Sequence, residues 1–297
     1  MEKQKKAYLY AGIVVLLWST CASAFKISLR YIDVLPLLTF ASLTSTAVFF
    51  VSLVLSRKLS LLKDLSRMDY LHSVLLGFLN PFLYYVVLFE AYSILPAQEA
   101  QPLNFIWPLT LVLLSIPLLK QKISARDILA TIICFVGVLV ISTRGDILSL
   151  KFSNAAGVSL ATGSSIIWSL FWILNVRDKR DEVVRLFLNF AFGSVFTLAA
   201  LVLLTDVKAL QGRGLAGAVY VGLFEMGITF LLWLKALKLS KTTAHITNLI
   251  YVVPFFSLVV ISFAAGEKIR PSTIVGLVFI VSGIVLQRLR SKSDQSA

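Results

Sequence analysis

Ten apolar stretches, each long enough to cross a lipid bilayer, fill almost all of this 297-residue chain. A helix rises 1.5 Å per residue and the hydrocarbon layer is about 30 Å thick, so roughly 20 mostly apolar residues make one crossing. By that measure spans run over 8–29, 34–56, 71–95, 98–119, 126–143, 154–176, 184–205, 214–237, 242–264 and 271–289. The segments between them are too short to fold alone. The expected fold class is therefore all-α integral membrane, a multi-pass protein in the lipid bilayer. Its 58% hydrophobic residues and mean hydropathy of +0.87 agree. A transmembrane β-barrel would need short segments of alternating polarity, and the sequence has none.

Charge sets the expected orientation. A net charge of +13 suits nucleic acid only if the basic residues share one folded face, and here they sit at span ends, so no nucleic-acid partner is expected. With alternate loops on opposite sides, 20 of the 28 Lys and Arg fall on the side of the N-terminus and 8 on the other. The positive-inside rule then puts both termini in the cytoplasm (N-in/C-in), and the chain is expected in the inner (plasma) membrane. Met1–Lys6, an apolar run and Ala22-Ser23-Ala24 imitate a cleavable secretory signal. Cleavage would leave nine spans and break the chain's internal repeat, so the first span is expected to stay. Cys21 and Cys134 both fall inside spans, where a lone thiol behaves as a small hydrophobe; neither implies a disulfide or a metal site.

The repeat is weak but extends over the chain. Trp18-Ser19 recurs as Trp168-Ser169, Gly77 as Gly222, Ala91 as Ala236, and Gly137-Val138 as Gly283-Ile284, at offsets of 150, 145, 145 and 146 residues. This divides the chain into a first five-helix repeat (1–143), a linker (144–153) and a second five-helix repeat with a cytoplasmic tail (154–297). An odd number of crossings per unit forces the second copy to enter the membrane from the other side, which makes an inverted repeat. The best-matched segments are Leu103-Asn104-Phe105-Ile106-Trp107-Pro108 and Leu249-Ile250-Tyr251-Val252-Val253-Pro254. Each is followed by a short polar turn, Lys120-Gln121-Lys122-Ile123 and Gly266-Glu267-Lys268-Ile269.

With these motifs the chain resembles the drug/metabolite transporter superfamily, in its ten-helix exporter branch, and the Asn-Phe-Ile-Trp-Pro run with Gln121-Lys122 is most similar to YddG-type aromatic amino acid exporters. The family often has an acidic residue in the turn after the fourth helix; this chain has Gln121 there, and only Glu267 keeps that feature. The resemblance implies a basket of helices around a central cavity, with the fifth and tenth helices set to one side and the path lined by helices 1, 3, 4, 6, 8 and 9.

Polar residues inside spans avoid lipid and face one another or a wet cavity, so their spacing marks a lining. In the fourth span Gln101, Asn104 and Trp107 recur at i, i+3, i+6 and share one stripe. The ninth repeats that spacing with His245, Asn248 and Tyr251. In the sixth, Ser165, Trp168, Trp172 and Asn175 lie on one face, and the first offers Trp18, Ala22 and Phe25. Asn80, Tyr84 and Thr229 complete the expected substrate-binding set. Interface belts and helix packing use the same residue types, but Trp18 and Trp168 lie about mid-span, away from an interface belt. Glu225 is the sharpest residue. It sits mid-span, where a carboxylate costs about 2.5–3.5 kcal/mol, and the 145-residue offset pairs it with Asn80. It either takes up a proton, pairs with a substrate ammonium, or serves packing through a neighbour. Pro81, Pro102, Pro108 and Pro254 interrupt spans, as in transporters with broken helices.

No G-x-x-x-x-G-K-[ST] loop, no H-E-x-x-H pair and no filter-like run is present, so an enzyme, an ATP-driven pump and a simple pore are all disfavoured, and no catalytic residue, metal or other cofactor is expected. The expectation is a secondary transporter exporting small organic metabolites, above all aromatic or neutral amino acids, by alternating access through a central cavity. A drug or nucleotide-sugar carrier of the same fold, or a polytopic membrane enzyme, is the alternative. Oligomerisation is not implied.

Overall fold

The computed structural model describes residues 2–119, 125–149, 152–205, 212–240 and 248–289, which are helical almost throughout, with no strand among them. The helices are α1 (Glu2–Ser28), α2 (Val34–Leu55), α3 (Arg67–Ile94), α4 (Ala97–Asn104), α5 (Trp107–Leu119), α6 (Ala125–Ser142), α7 (Ala155–Arg177), α8 (Glu182–Leu204), α9 (Gly212–Leu239), α10 (Leu249–Ala265) and α11 (Pro271–Leu289). By length and composition six of them, α1, α2, α3, α7, α8 and α9, can cross a membrane; α6, α10 and α11 are shorter apolar helices. Their outer faces confirm what the solvent must be: α8 alone exposes Val195, Leu198, Val202, Leu203 and Leu204. Such a surface is stable against lipid and not against water.

Polar residues start and stop the helices where the chain leaves the apolar runs. Ser66 and Asp69 form a reciprocal capping box at the start of α3. Asn154 accepts from Gly157 N at 2.9 Å to begin α7, and Asp181 accepts from Val183 N and Val184 N to begin α8. At the end of α10, Gly266 takes the left-handed conformation (φ 71°) that closes the helix without a Cβ clash.

The expected fourth and ninth spans are both broken. α4 and α5 are separated at Phe105-Ile106, and α10 opens with a 3₁₀ turn, Asn248–Val252. In each case a regular helix restarts beside a proline, Pro108 or Pro254, because proline fits a first turn but cannot continue a helix. The carbonyl just before each proline faces a serine hydroxyl of another helix. Ser169 Oγ donates to Trp107 O at 2.9 Å, whereas Ser19 Oγ gives its proton to Val15 O at 2.6 Å and lies 3.5 Å from Val253 O, the tie to α10 being Ser257 Oγ, which donates to Ser19 O at 3.1 Å. The recurrent Trp-Ser pair therefore clamps α7 to α5 and α1 to α10.

Helix neighbours follow the same correspondence. α1 packs on α9 and α10, as α7 packs on α3, α4 and α5; α2 pairs with α8, and α6 with α11. The α6–α11 pair stands close because small residues face each other. A Cβ on Gly137 would strike the Gly276 carbonyl and Ile280, and one on Gly283 would strike Cys134 and the Ala130 carbonyl.

Candidate functional site

Between α1, α3, α4, α5, α7, α9 and α10 lies a cavity of ≈ 90 Å³. Trp18, Ala22 and Phe25 from α1 and Tyr84, Leu88 and Tyr92 from α3 each recur at helical spacing and turn one face inward. Gln101 and Asn104 end α4, Trp107 begins α5, and Trp168, Glu225, Ile250 and Val253 complete the wall with Phe105.

Its polar groups are held by specific bonds. Asn104 Nδ2 donates to Ser164 Oγ at 2.8 Å, and the Tyr84 hydroxyl donates to Asn104 Oδ1 at 3.4 Å, so the amide is oriented from both sides. Trp18 Nε1 donates to the backbone carbonyl of Glu225 at 3.2 Å. The Tyr85 hydroxyl donates to Glu225 Oε1 at 3.1 Å, and the Cys21 thiol faces the same carboxylate.

Glu225 lies in an irregular piece of helix. Gly222–Gly227 is a π-helical turn within α9, and Phe78–Leu83, which carries Asn80, is its counterpart in α3. Pro81 explains the second, since the residue before a proline is pushed out of the α region; Asn80 has φ −150° and ψ 120°. Thr229 Oγ1 donates to the Phe224 carbonyl five residues back, a bond the wider turn permits.

On one side an aromatic layer closes the cavity. Trp168 contacts Tyr84 at 4.7 Å between ring centroids, Trp172 at 5.8 Å and Phe230 at 6.1 Å, while Trp18 contacts Trp233 at 5.8 Å and Phe230 at 6.4 Å. Beyond the layer Trp172 and Asn175 line a second, narrow crevice with Phe171, Trp233 and Arg185.

A family model described as the EamA-like transporter family matches the chain twice, over residues 5–143 and 155–288. The chain belongs to that family. An uncharacterized transporter, YvbV, of Bacillus subtilis (strain 168) is 25% identical over 303 residues, covering 100% of this chain and 96% of its own. An uncharacterized transporter of Archaeoglobus fulgidus is 21% identical, covering 95% and 96% respectively. A protein of known crystal structure superposes over 97% of this chain and 98% of its own with a TM-score of 0.67 at 22% identity, which shows a shared fold. The family and these relatives are transporters and not enzymes, so this EamA-like chain is a multi-pass membrane transporter.

Of the residues expected from sequence, Trp18, Tyr84, Gln101, Asn104, Trp107, Trp168 and Glu225 meet at the cavity. Others are buried elsewhere. Asn80 is fully enclosed in its π turn, the Ser165 hydroxyl returns to the Thr162 carbonyl, Thr229 serves its own helix, Trp172 lines the crevice, and Tyr251 is buried without joining the cavity wall. His245, Gln121, Lys122 and the side chain of Asn248 lie outside the described residues. Tyr85, Tyr92 and the Glu225-facing role of Cys21 escaped sequence reasoning. Tyr85 and Tyr92, seven residues apart on one face, were the available signal.

Charged clusters stand at both ends. At one, Glu99 accepts from Arg144 Nε at 3.1 Å, from Ser153 Oγ at 2.7 Å and from Arg270, while Glu267 accepts from Ala97 N at 2.8 Å and Gln98 N at 3.1 Å, capping α4. At the other, Arg180 grips Asp178 at 2.5 Å and Lys58 pairs with Asp181 at 2.6 Å. Burial pushes the Asp178 carboxyl up, but hydrogen bonds from Arg180 and the Arg180 and Arg185 charges outweigh it and hold the group below its ordinary 3.8.

Proposed function

We propose that this EamA-like transporter is a secondary carrier of the inner (plasma) membrane that exports small organic metabolites, aromatic or neutral amino acids foremost, as YddG-type exporters do. It works by alternating access of two inverted five-helix halves, ten crossings in all, with both termini cytoplasmic. The observation that carries the reading is the cavity itself, bounded by helices of both halves at the level of two corresponding π turns. Three things support the inverted repeat: the double family match, the paired serine contacts at Trp107 and Val253, and the symmetric list of helix neighbours. The cavity's rings suit an apolar side chain, and Asn104, Gln101 and Glu225 suit polar head groups. A nucleotide-sugar carrier is the weaker reading, because no Lys or Arg lines the cavity among the described residues to meet a phosphate.

The test is uptake of the twenty labelled amino acids into proteoliposomes without ATP, driven first by substrate gradient and then by an imposed pH gradient. Concentration-dependent, saturable movement of aromatic or neutral amino acids is expected. A screen negative for all twenty overturns the amino-acid reading, and recovery of a chemically altered product would replace the carrier with an enzyme.

A further inference from the structure

Resting on the reading of the cavity as the transport site, but departing from that reading's amino-acid preference, the geometry points to an organic ammonium as its preferred ligand: one amine on an apolar or aromatic body, with no carboxylate beside it. Charge balance favours it. Glu225 is the acid on the cavity wall, and among the described residues no Lys, Arg or His joins it there. Lys26, one residue from the lining Phe25, is committed elsewhere: its Nζ donates to the Tyr92 and Leu95 carbonyls at 2.8 and 2.7 Å. The groups that face the carboxylate bring no positive charge. From α1 it is the Cys21 thiol, and from α3 the phenols of Tyr84 and Tyr85, while the Trp18 indole is taken by the Glu225 backbone carbonyl.

The open hydrogen-bonding valence in the cavity has the same sign. Glu225 takes the Tyr85 hydroxyl on Oε1 and keeps further lone pairs free, and Gln101 is 8% exposed with its Oε1 unpartnered. Both seek donors. An ammonium supplies three donors and a full positive charge, and the rings of Trp18, Tyr84 and Trp168 give that charge an aromatic wall. A zwitterionic amino acid brings the same ammonium, but its carboxylate then enters a low-dielectric space beside Glu225 where, among the described residues, no cation meets it. A simple carboxylic acid has the penalty without the gain. The site is thus built to read the amine end, and among molecules of amino-acid size it favours those whose carboxyl group is absent or reduced.

The experiment uses the full chain in proteoliposomes and four ligands with one ring and different head groups: 2-phenylethylamine, phenylalaninol, phenylalanine and 3-phenylpropionate. Binding is read from intrinsic tryptophan fluorescence, and uptake by mass spectrometry. The two amines should bind at least about tenfold more tightly than phenylalanine, which is 1.4 kcal/mol at 25 °C, with 3-phenylpropionate weakest. Glu225→Gln should remove the ranking by weakening the amines, whereas Glu225→Asp, which keeps the charge, should retain it. If phenylalanine binds as tightly as 2-phenylethylamine, or a folded Glu225→Gln keeps the amine preference, the ammonium inference is overturned. Saturable phenylalanine uptake in that case leaves the carrier reading standing. If no amine binds, the inference also fails, and the carrier reading is then judged separately by the twenty-amino-acid screen.

Discussion

Replacing Glu99 by Gln should cost about 2–4 kcal/mol of stability while changing one heavy atom. The Glu99 side chain is 1% exposed and meets Arg144, Ser153 and Arg270 together, which ties α4 to the linker and to the start of α11. The two guanidiniums are 45% and 37% exposed, so water recovers much of their loss, and each pair is worth only about 0.5–1 kcal/mol. The enclosed side is less forgiving. A glutamine there presents an amide N–H where a guanidinium or the Ser153 hydroxyl already donates, and a buried mispaired group adds about 1–2 kcal/mol. For a chain of this size that sum lowers Tm by roughly 4–10 °C. The assay is thermal unfolding in detergent, followed by tryptophan fluorescence, with Glu90→Gln as control. Glu90 is exposed, and its change should stay within about 0.5 kcal/mol. A Tm for Glu99→Gln equal to that of the control would refute the reasoning, because it would mean that the cluster's ionic character contributes nothing where burial is greatest.

Three further outcomes are expected. Reporter fusions should put Ala297 and the 177–185 loop on the same, cytoplasmic side, and a C-terminus outside would overturn both the orientation and the inverted repeat. Trp168→Ala should impair transport several-fold with membrane insertion intact, since the ring closes the cavity against Tyr84 and Phe230; unchanged kinetics would remove it from the path. Because the folded-state value of Asp178 lies below its ordinary 3.8, its stabilisation is present above that pH and lost as pH falls through the lower folded value. Asp178→Asn should therefore lower Tm at neutral pH, with the gap to the parent closing as the pH drops below about 4; a gap constant across that range would assign the loss to shape and not to charge.

The apolar runs and the 145-residue offset were legible in the sequence because they depend on local matters: how many residues cross a bilayer and which motifs recur. The helical period also grouped Gln101, Asn104 and Trp107 on one stripe, and that stripe lines the cavity. A stripe has a direction only relative to its own axis, however. Which way each helix turns is decided by long-range packing, such as Gly222 against the Ala41 carbonyl and Thr44, or Gly77 against the Asn189 carbonyl. That rotation sent Glu225 to the cavity and enclosed its counterpart Asn80, although the sequence treats them alike. It also spent Ser165 on the Thr162 carbonyl and Thr229 on a π turn, so polar groups that read as lining became structural. The Glu99 cluster joins residues 45, 54 and 171 positions away along the chain. No local pattern connects them, because only the closed bundle brings their side chains within hydrogen-bonding distance.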